Sequence, residues 1–495
     1  MPNISFYFQV HQPYRLRHYN FFEIGESPFY EDIDANRSII SKIANKCYLP
    51  MNSLLLKLIN KYKGKFKVAF SITGNALDQF TAYAPEVLAS FQELVKTGSV
   101  ELLTETDNHS LAFLYSKKEF KRQVALHDEK IGKFFGVKPK VFRNTELVYN
   151  NDLAVAASEL GYEAVLLEGA DHILGWRSPN YVYSPVGAKT KLLLRNYQLS
   201  DDIAFRFSNK SWGEYPLTAD KFANWVVNSD GDVVNLYMDY ETFGEHQWAD
   251  SGIFEFIEAL PAALFAKKGI SFLTPSEVVK KFKPVAELNV TNSMSWADVE
   301  RDLTAWMGND MQRDALETVY RLEEGVLKTD NPEIYKIWGR LQTSDHFYYM
   351  CTKWFSDGEV HKYFNPYGTP YDAYINYMNV MGDFELRIKA NLEGKSAKFA
   401  TPVSVLLEEE EELAAPVKRT KALAAKKEVK NTVVKAAKSP VKTETAKTSA
   451  KAAPAKAATK TTAGKAVEPR APAKSAPAKA AKKETVPPKR TTVKR

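Results

Sequence analysis

The chain has 495 residues and a net charge of +7, but residues 416–495 hold 19 Lys and 4 Arg against 4 Glu, a net of +19, which leaves −12 for the first 415 residues. An acidic body disfavours nucleic acid as its ligand, because phosphate binding needs a basic surface. Two widely spaced cysteines disfavour a disulfide framework, and the lack of an uncharged apolar run of about 18 residues disfavours a membrane span.

The N-terminus is predicted to be a first strand and not a signal peptide. It has no basic start, no sustained apolar segment and no small-residue cleavage site. We therefore expect a cytoplasmic protein.

Strand-like runs alternate with helix-like segments up to about residue 285. The predicted strands are 4–10, 67–72, 100–104, 140–143, 164–167, 191–197, 233–238 and 270–273, with 204–207 as a further candidate. The predicted helices are 48–62, 85–96, 117–135, 152–160 and 252–267. This alternation indicates βαβ units with a parallel sheet.

Seven or eight strands in this span favour a closed or nearly closed (β/α) barrel, with an open doubly wound sheet as the alternative. Polar side chains follow nearly every strand, whereas an open sheet concentrates them at one switch point after a Gly-rich turn. They are His11, Gln12, Gln79, His109, Glu146, Asp239, Glu241 and His246. Two carboxylates from different strands are the minimum apparatus for glycoside hydrolysis.

Three domains are predicted from the change in pattern along the chain. Residues 1–285 form the catalytic barrel and residues 286–400 a helical subdomain that completes the active site. Residues 401–495 contain no aromatic residue and are rich in Lys, Ala and Pro after a short acidic run. Such a segment cannot bury enough apolar surface to offset its chain entropy, so a disordered tail is expected.

Five ordered motifs carry a resemblance over about residues 1–390. They are HQP (11–13), SITGNALDQ (71–79), FRNTEL (142–147), MDYETFGEH (238–246) and WMGNDMQ (306–312). Together they resemble the five sequence regions of glycoside hydrolase family 57, and its α-amylase-type members in particular. The resemblance implies an incomplete (β/α)7 barrel followed by a helical subdomain. It also implies retaining action on α-glucans such as starch, glycogen and maltooligosaccharides, with no metal and no cofactor.

Carried over by matching position, the resemblance implies that Glu146 is the nucleophile and Asp239 the general acid/base. It implies a sugar subsite formed by His11, Gln79, His109, Glu241, Asn309 and Asp310. A retaining enzyme has its two carboxyl groups about 5–5.5 Å apart, whereas about 9 Å would indicate inversion. Glu241 is expected to raise the pKa of Asp239 by like-charge repulsion and so keep a proton available.

One tryptophan is predicted to contact the sugar. Trp306 precedes Asn309 by three residues, so its indole is expected to stack on a glucose ring.

The alternatives to an α-amylase-type hydrolase are a 4-α-glucanotransferase or branching enzyme on the same site, a metal-dependent deacetylase, and a non-catalytic glucan-binding protein. No two of the eight histidines have the HxxxH spacing typical of the deacetylase site.

The basic tail prompts a separate hypothesis. Its composition resembles that of the C-terminal tails of linker histones, which predicts binding to DNA, RNA or another polyanion by counterion release. A solubilising or tethering extension is the alternative.

Overall fold

Seven parallel strands form a barrel in the part of the chain that the computed structural model describes, residues 1–353 and 365–394. Two further short strands extend one of its two sheets. In chain order the strands are β1 Asn3–Val10, β2 Val68–Ile72, β3 Val100–Leu102, β4 Val141–Arg143, β5 Ala164–Glu168, β6 Val182–Pro185, β7 Lys191–Arg195, β8 Val233–Asp239 and β9 Glu287–Leu288.

The barrel is assembled from a sheet ordered β3-β2-β1-β8 and a sheet ordered β4-β5-β7-β6-β9. A parallel bridge between Thr104 and Phe142 joins β3 to β4. The other join, between β7 and β8, includes the hydrogen bond from the Asn196 amide to the Asn235 carbonyl, at 2.9 Å. Within the described residues, β7 and β8 are not paired as neighbouring strands of one sheet, so the barrel is open at this point. The predicted (β/α)7-type incomplete barrel is therefore confirmed.

Alternation along the strands decides which side chains reach the barrel interior. In β8, Val234, Leu236 and Met238 pack outward under the helices, whereas Tyr237 packs in the interior against Tyr7 of β1, with ring centroids 5.5 Å apart. Asp239 has the same parity as Tyr237 and ends the strand. The alternation therefore carries Asp239 to the mouth of the barrel.

The helices up to residue 281 cover the barrel, and those from residue 304 onward form a helical region. Those up to residue 281 are α1 Ile33–Ile43, α2 Leu49–Lys61, α3 Gly74–Tyr83, α4 Pro85–Lys96, α5 Ala112–Tyr115, α6 Lys117–Phe135, α7 Asn151–Glu159, α8 Asp171–Leu174, α9 Tyr197–Ala204, α10 Ala219–Asn228, α11 Ile253–Phe265 and α12 Pro275–Lys281. The later ones are α13 Thr304–Met307, α14 Asp310–Arg321, α15 Glu323–Thr329, α16 Pro332–Leu341, α17 Ser344–Tyr348 and α18 Pro370–Leu392. A π-helical turn, Ala44–Tyr48, joins α1 to α2.

Two of the predicted strands differ from the structure. Residues 204–207 are not a strand, because Ala204 ends α9, whose buried side packs on β8. Residues 270–273 make only an isolated bridge, between Phe272 and Ile4. The pattern also missed β6, which is antiparallel to β7. The predicted disordered tail, residues 401–495, lies outside the described residues.

None of the helices in the described ranges is long and apolar enough to cross a membrane.

Candidate active site

A cavity of about 620 Å³, counting its open mouth, lies at the C-terminal end of the barrel strands. Glu146 and Asp239 both line it, so the structure brings the two predicted catalytic carboxylates to one cavity. The other lining residues are Gln9, His11, Gln12, Pro13, Arg15, His109, Glu241, His246, Trp296, Asp345 and Tyr349. Active sites of parallel barrels are built at this end because the strand-to-helix loops converge there.

Glu146 is held in an unusual backbone conformation just beyond β4. Its φ is +56° and that of Leu147 is +51°, in the left-handed region that non-glycine residues rarely adopt. A short antiparallel contact holds the segment, because the Trp296 amide donates to the Glu146 carbonyl at 3.2 Å and Tyr149 bridges to Met294. Strain of this kind persists only where surrounding contacts enforce it, and it is concentrated at functional sites.

Hydrogen-bond donors from three separate segments converge on the Glu146 carboxylate. Trp296 Nε1 donates to Oε2 at 2.8 Å, and Ser344 Oγ donates to Oε1 at 3.1 Å. His109 Nε2 lies 3.3 Å from Oε1. Glu146 is only 5% exposed, and donors of this kind stabilise the ionised form of a carboxylate.

His109 is charged at neutral pH because it lies between two carboxylates. Its Nδ1 is 2.9 Å from Glu105 Oε2, and its Nε2 faces Glu146. Burial alone lowers the pKa of a histidine, but the two carboxylates outweigh burial and raise the pKa of His109 to about 9. His11 stacks on His109 with ring centroids 4.0 Å apart, and its own pKa is lowered by burial and by the charge of His109.

Asp239 and Glu241 follow β8 and differ in environment. Asp239 is partly exposed on the cavity wall, whereas Glu241 is buried. Burial and the nearby charge of Asp239 raise the pKa of Glu241 to about 8, although the Tyr48 hydroxyl and the Gln12 amide both donate to it. Glu241 therefore carries a proton at neutral pH, so the like-charge repulsion that was expected to raise the pKa of Asp239 instead raises the pKa of Glu241. Tyr48 reaches it from the end of the π-helical turn, a feature often found at functional sites.

The raised pKa of Glu241 predicts a pH-dependent effect of Glu241→Gln. An acid whose pKa is about 8 in the folded protein and 4.5 unfolded stabilises the fold fully below pH 4.5, and this contribution is lost as pH rises to about 8. Gln mimics the protonated acid at every pH. We expect the free energy of unfolding of E241Q, relative to wild type, to increase by more than about 1 kcal/mol between pH 5 and pH 8. Denaturant titrations across this range measure it.

Glu258→Gln is the matched control, because Glu258 is a surface glutamate paired with Lys57. Its difference from wild type should not increase with pH over the same range. A constant difference between E241Q and wild type would contradict the assignment of the proton to Glu241.

The remaining predicted site residues do not line the cavity. Gln79, on α3, is buried behind the wall and donates to the Gln12 carbonyl at 2.8 Å. Trp306 is 1% exposed within the core that includes the helical region. Asn309 caps α14, and Asp310 is exposed and pairs with Arg313. Their predicted sugar contacts stay predictions.

The cavity and near-cavity residues that were not selected from the sequence include Trp296, Ser344 and Asp345. Ser344 and Asp345 begin α17, where Asp345 Oδ2 lies 2.9 Å from His11 Nε2. An aspartate in the first turn of a helix is common because its charge complements the helix dipole, so the local sequence gave no separate signal of function.

Within residues 1–353 and 365–394, no three His, Cys, Asp or Glu side chains converge as a metal centre requires.

Sequence comparisons identify relatives of this chain. The sequence model described as "Glycosyl hydrolase family 57" matches residues 5–291. A protein of Methanocaldococcus jannaschii named "Putative alpha-amylase" is 47% identical over 403 residues, which cover 78% of this chain and 85% of that protein.

Two solved structures share the fold at low identity. A family 57 branching enzyme from Thermococcus kodakaraensis matches with a TM-score of 0.59 and 15% identity, over 83% of this chain and 94% of that one. The 4-α-glucanotransferase from Thermococcus litoralis matches with a TM-score of 0.52 and 18% identity, over 70% of this chain and 56% of that one. The family match over most of the barrel and the 47% identity together establish that the chain belongs to glycosyl hydrolase family 57.

Proposed function

We propose that the protein is a retaining α-glucan hydrolase of the α-amylase type, with Glu146 as nucleophile and Asp239 as general acid/base. The observation that carries this proposal is the Glu146 carboxylate, which accepts hydrogen bonds from Trp296 and Ser344 on the cavity that Asp239 also lines. Membership of the family and the similarity to a protein named as an alpha-amylase support the substrate class.

The proposed reaction has two steps. A Glu146 oxygen bonds to the anomeric carbon as the glycosidic C–O bond breaks, and Asp239 gives its proton to the departing oxygen. Water then attacks the anomeric carbon of the glycosyl-enzyme, Asp239 takes a proton from the water, and Glu146 leaves as a carboxylate. Each carboxyl group returns to its starting state, and configuration is retained because the carbon is inverted twice.

The partial exposure of Asp239 suits its proposed role. The acid/base must meet the leaving sugar and then water, whereas the nucleophile needs only one face of one sugar ring. Asp239 is partly exposed and Glu146 is buried, which supports this division of roles. The predicted separation of about 5–5.5 Å between the two carboxyl groups is part of the proposal.

Incubation with maltoheptaose and with amylopectin tests the proposal. We expect shorter maltooligosaccharides whose new reducing ends are first released in the α configuration, which proton NMR detects before mutarotation. Release of β ends would refute the retaining mechanism. No turnover of either glucan would refute the substrate class.

Transfer is the second candidate, because the solved structures of this fold include a branching enzyme and a glucanotransferase. The same incubation separates the activities. Products longer than maltoheptaose would indicate transfer, and a rise in α-1,6 branch content would indicate a branching enzyme. The proposed hydrolase yields neither.

For the tail, we propose binding to a polyanion such as DNA or RNA, on the ground of the net charge of +19 in residues 416–495. A fluorescence titration of the full chain and of a chain ending at Ala415 with labelled duplex DNA tests it. Binding that requires the tail and weakens with salt is expected, and equal binding by both chains would refute the proposal.

The cytoplasmic location of the protein stays a prediction, which cell fractionation would test.

A further inference from the structure

Glu105 is a fully buried carboxylate directly behind the candidate active site. Its Oε1 accepts hydrogen bonds from Gln9 Nε2 at 2.9 Å and from Ser71 Oγ at 2.7 Å. Its Oε2 faces His109 Nδ1 at 2.9 Å and Arg143 Nη1 at 3.7 Å. Glu105 is 0% exposed and does not line the cavity, so any effect on the reaction must pass through a neighbour.

The neighbour that connects Glu105 to the nucleophile is His109. Both ring nitrogens of His109 face carboxylates, Glu105 on one side and Glu146 on the other. Both carboxylates accept hydrogen bonds when ionised, so the ring must carry both protons to donate in both directions. The φ of His109 is +52°, so the loop holds this ring at the cost of a rarely adopted backbone conformation.

We propose that Glu105 is a positioning residue for the glycosidase reaction: it orients the His109 ring and keeps it charged, so that Nε2–H is directed at the Glu146 carboxylate. The proposal rests on the proposed function, in which Glu146 is the nucleophile. A charged donor stabilises the free carboxylate, which is the leaving group when water releases the sugar from Glu146. Glu105 therefore assists the second step of the reaction from a position without substrate contact.

The charges around this pair agree with that role. Burial alone raises the pKa of a carboxyl group, but His109 and Arg143 outweigh burial and hold the pKa of Glu105 at about 2. Glu105 is thus an anion throughout the working pH range. The titratable and charged groups that face the pair come from several elements: Tyr7 on β1, His11 after β1, His127 on α6, Arg143 on β4 and Glu146 after β4.

Glu105→Gln is the test, because it removes the charge and keeps the shape. With one of its two anionic partners gone, His109 should lose its proton at least about one pH unit lower than in wild type. Histidine-selective NMR of the full chain measures this directly, with His109→Gln to assign the signal. The alkaline limb of kcat for an activated aryl maltooligosaccharide, whose turnover is limited by the second step, should move down by a similar amount.

Two further variants separate positioning from simple structural support. Glu105→Asp retains the charge, so its His109 titration should stay nearer to that of wild type than the titration of E105Q. Ser71→Ala removes one hydrogen bond to Glu105 without changing its charge, so it should leave the alkaline limb where it is. An E105Q titration equal to that of wild type would overturn the proposal, as would a wild-type His109 that titrates near pH 6.5.

The titration is independent of the proposed function. Should the protein turn over no α-glucan, the NMR measurement still decides whether Glu105 holds the charge on His109. A lowered pKa of His109 in E105Q without any change in the activity profile would overturn the catalytic part of the proposal alone.

Discussion

Replacing Glu146 with Gln is expected to lower kcat/KM for maltoheptaose by on the order of 10⁴-fold, the size of loss usual when a catalytic nucleophile is removed. The amide has nearly the same shape as the carboxylate and still accepts the hydrogen bond from Trp296 or Ser344. It cannot attack the anomeric carbon. Circular dichroism and the unfolding midpoint should therefore remain close to wild type while turnover is lost.

Ser344→Ala is the matched control for Glu146→Gln. It removes one donor to the same carboxylate at 3.1 Å and leaves the nucleophile itself in place. A single hydrogen bond to a charged group contributes about 1.5–3 kcal/mol, so a loss of roughly 10- to 100-fold is expected. Turnover by Glu146→Gln at the wild-type rate would refute the assignment of the nucleophile.

The barrel and the location of Glu146 and Asp239 could be predicted because they depend on local patterns. Parallel strands buried on both sides give continuous apolar runs, and the polar residue after each run lies at the same end of the barrel. His11, His109 and Glu241 were identified by the same reasoning together with the family motifs, and all three line the cavity. Their roles in binding sugar stay predictions.

The helical contribution to the site could not be predicted, because it depends on packing between segments far apart in sequence. Trp296 and Ser344 meet Glu146 across 150 and 198 residues of chain, respectively. The motif WMGNDMQ was interpreted as a sugar-binding region, but its Asn309 and Gln312 form a helix capping box. That spacing is a known signal for a helix start, and the sugar contacts of the motif stay a prediction.

Glu105 shows a different limit of sequence reasoning. Glu105 stands four residues before His109 at the end of a strand-like run, so its position alone made it a possible site residue. Nothing in the sequence distinguishes a carboxylate that faces the cavity from one buried behind it. Glu105 is buried because Gln9, Ser71 and Arg143 contact it from three other strands. A carboxylate that faces the cavity can contact the substrate, whereas a buried one can act only on the charge of a neighbour.

The second large effect is expected for Asp239→Asn, and it depends on the leaving group. Without the acid, kcat/KM for maltoheptaose should fall by on the order of 10³-fold, because general acid–base catalysis contributes about 10²- to 10⁴-fold. An activated aryl maltooligosaccharide needs no proton on its leaving oxygen. Its glycosylation step should stay within about tenfold of wild type, measured as the initial burst of released aryl alcohol.

Azide then distinguishes the two carboxylates by the stereochemistry of the product. In Asp239→Asn, azide needs no general base and attacks the glycosyl-enzyme on Glu146, so it should restore turnover of the aryl substrate and give the α-glycosyl azide. In Glu146→Ala, azide enters the space of the missing carboxylate and attacks the substrate directly, so the same assay should give the β-glycosyl azide. Equal loss on both substrates in Asp239→Asn, with no azide product, would show that Asp239 binds substrate instead of transferring protons. The opposite pairing of azide products would exchange the two roles.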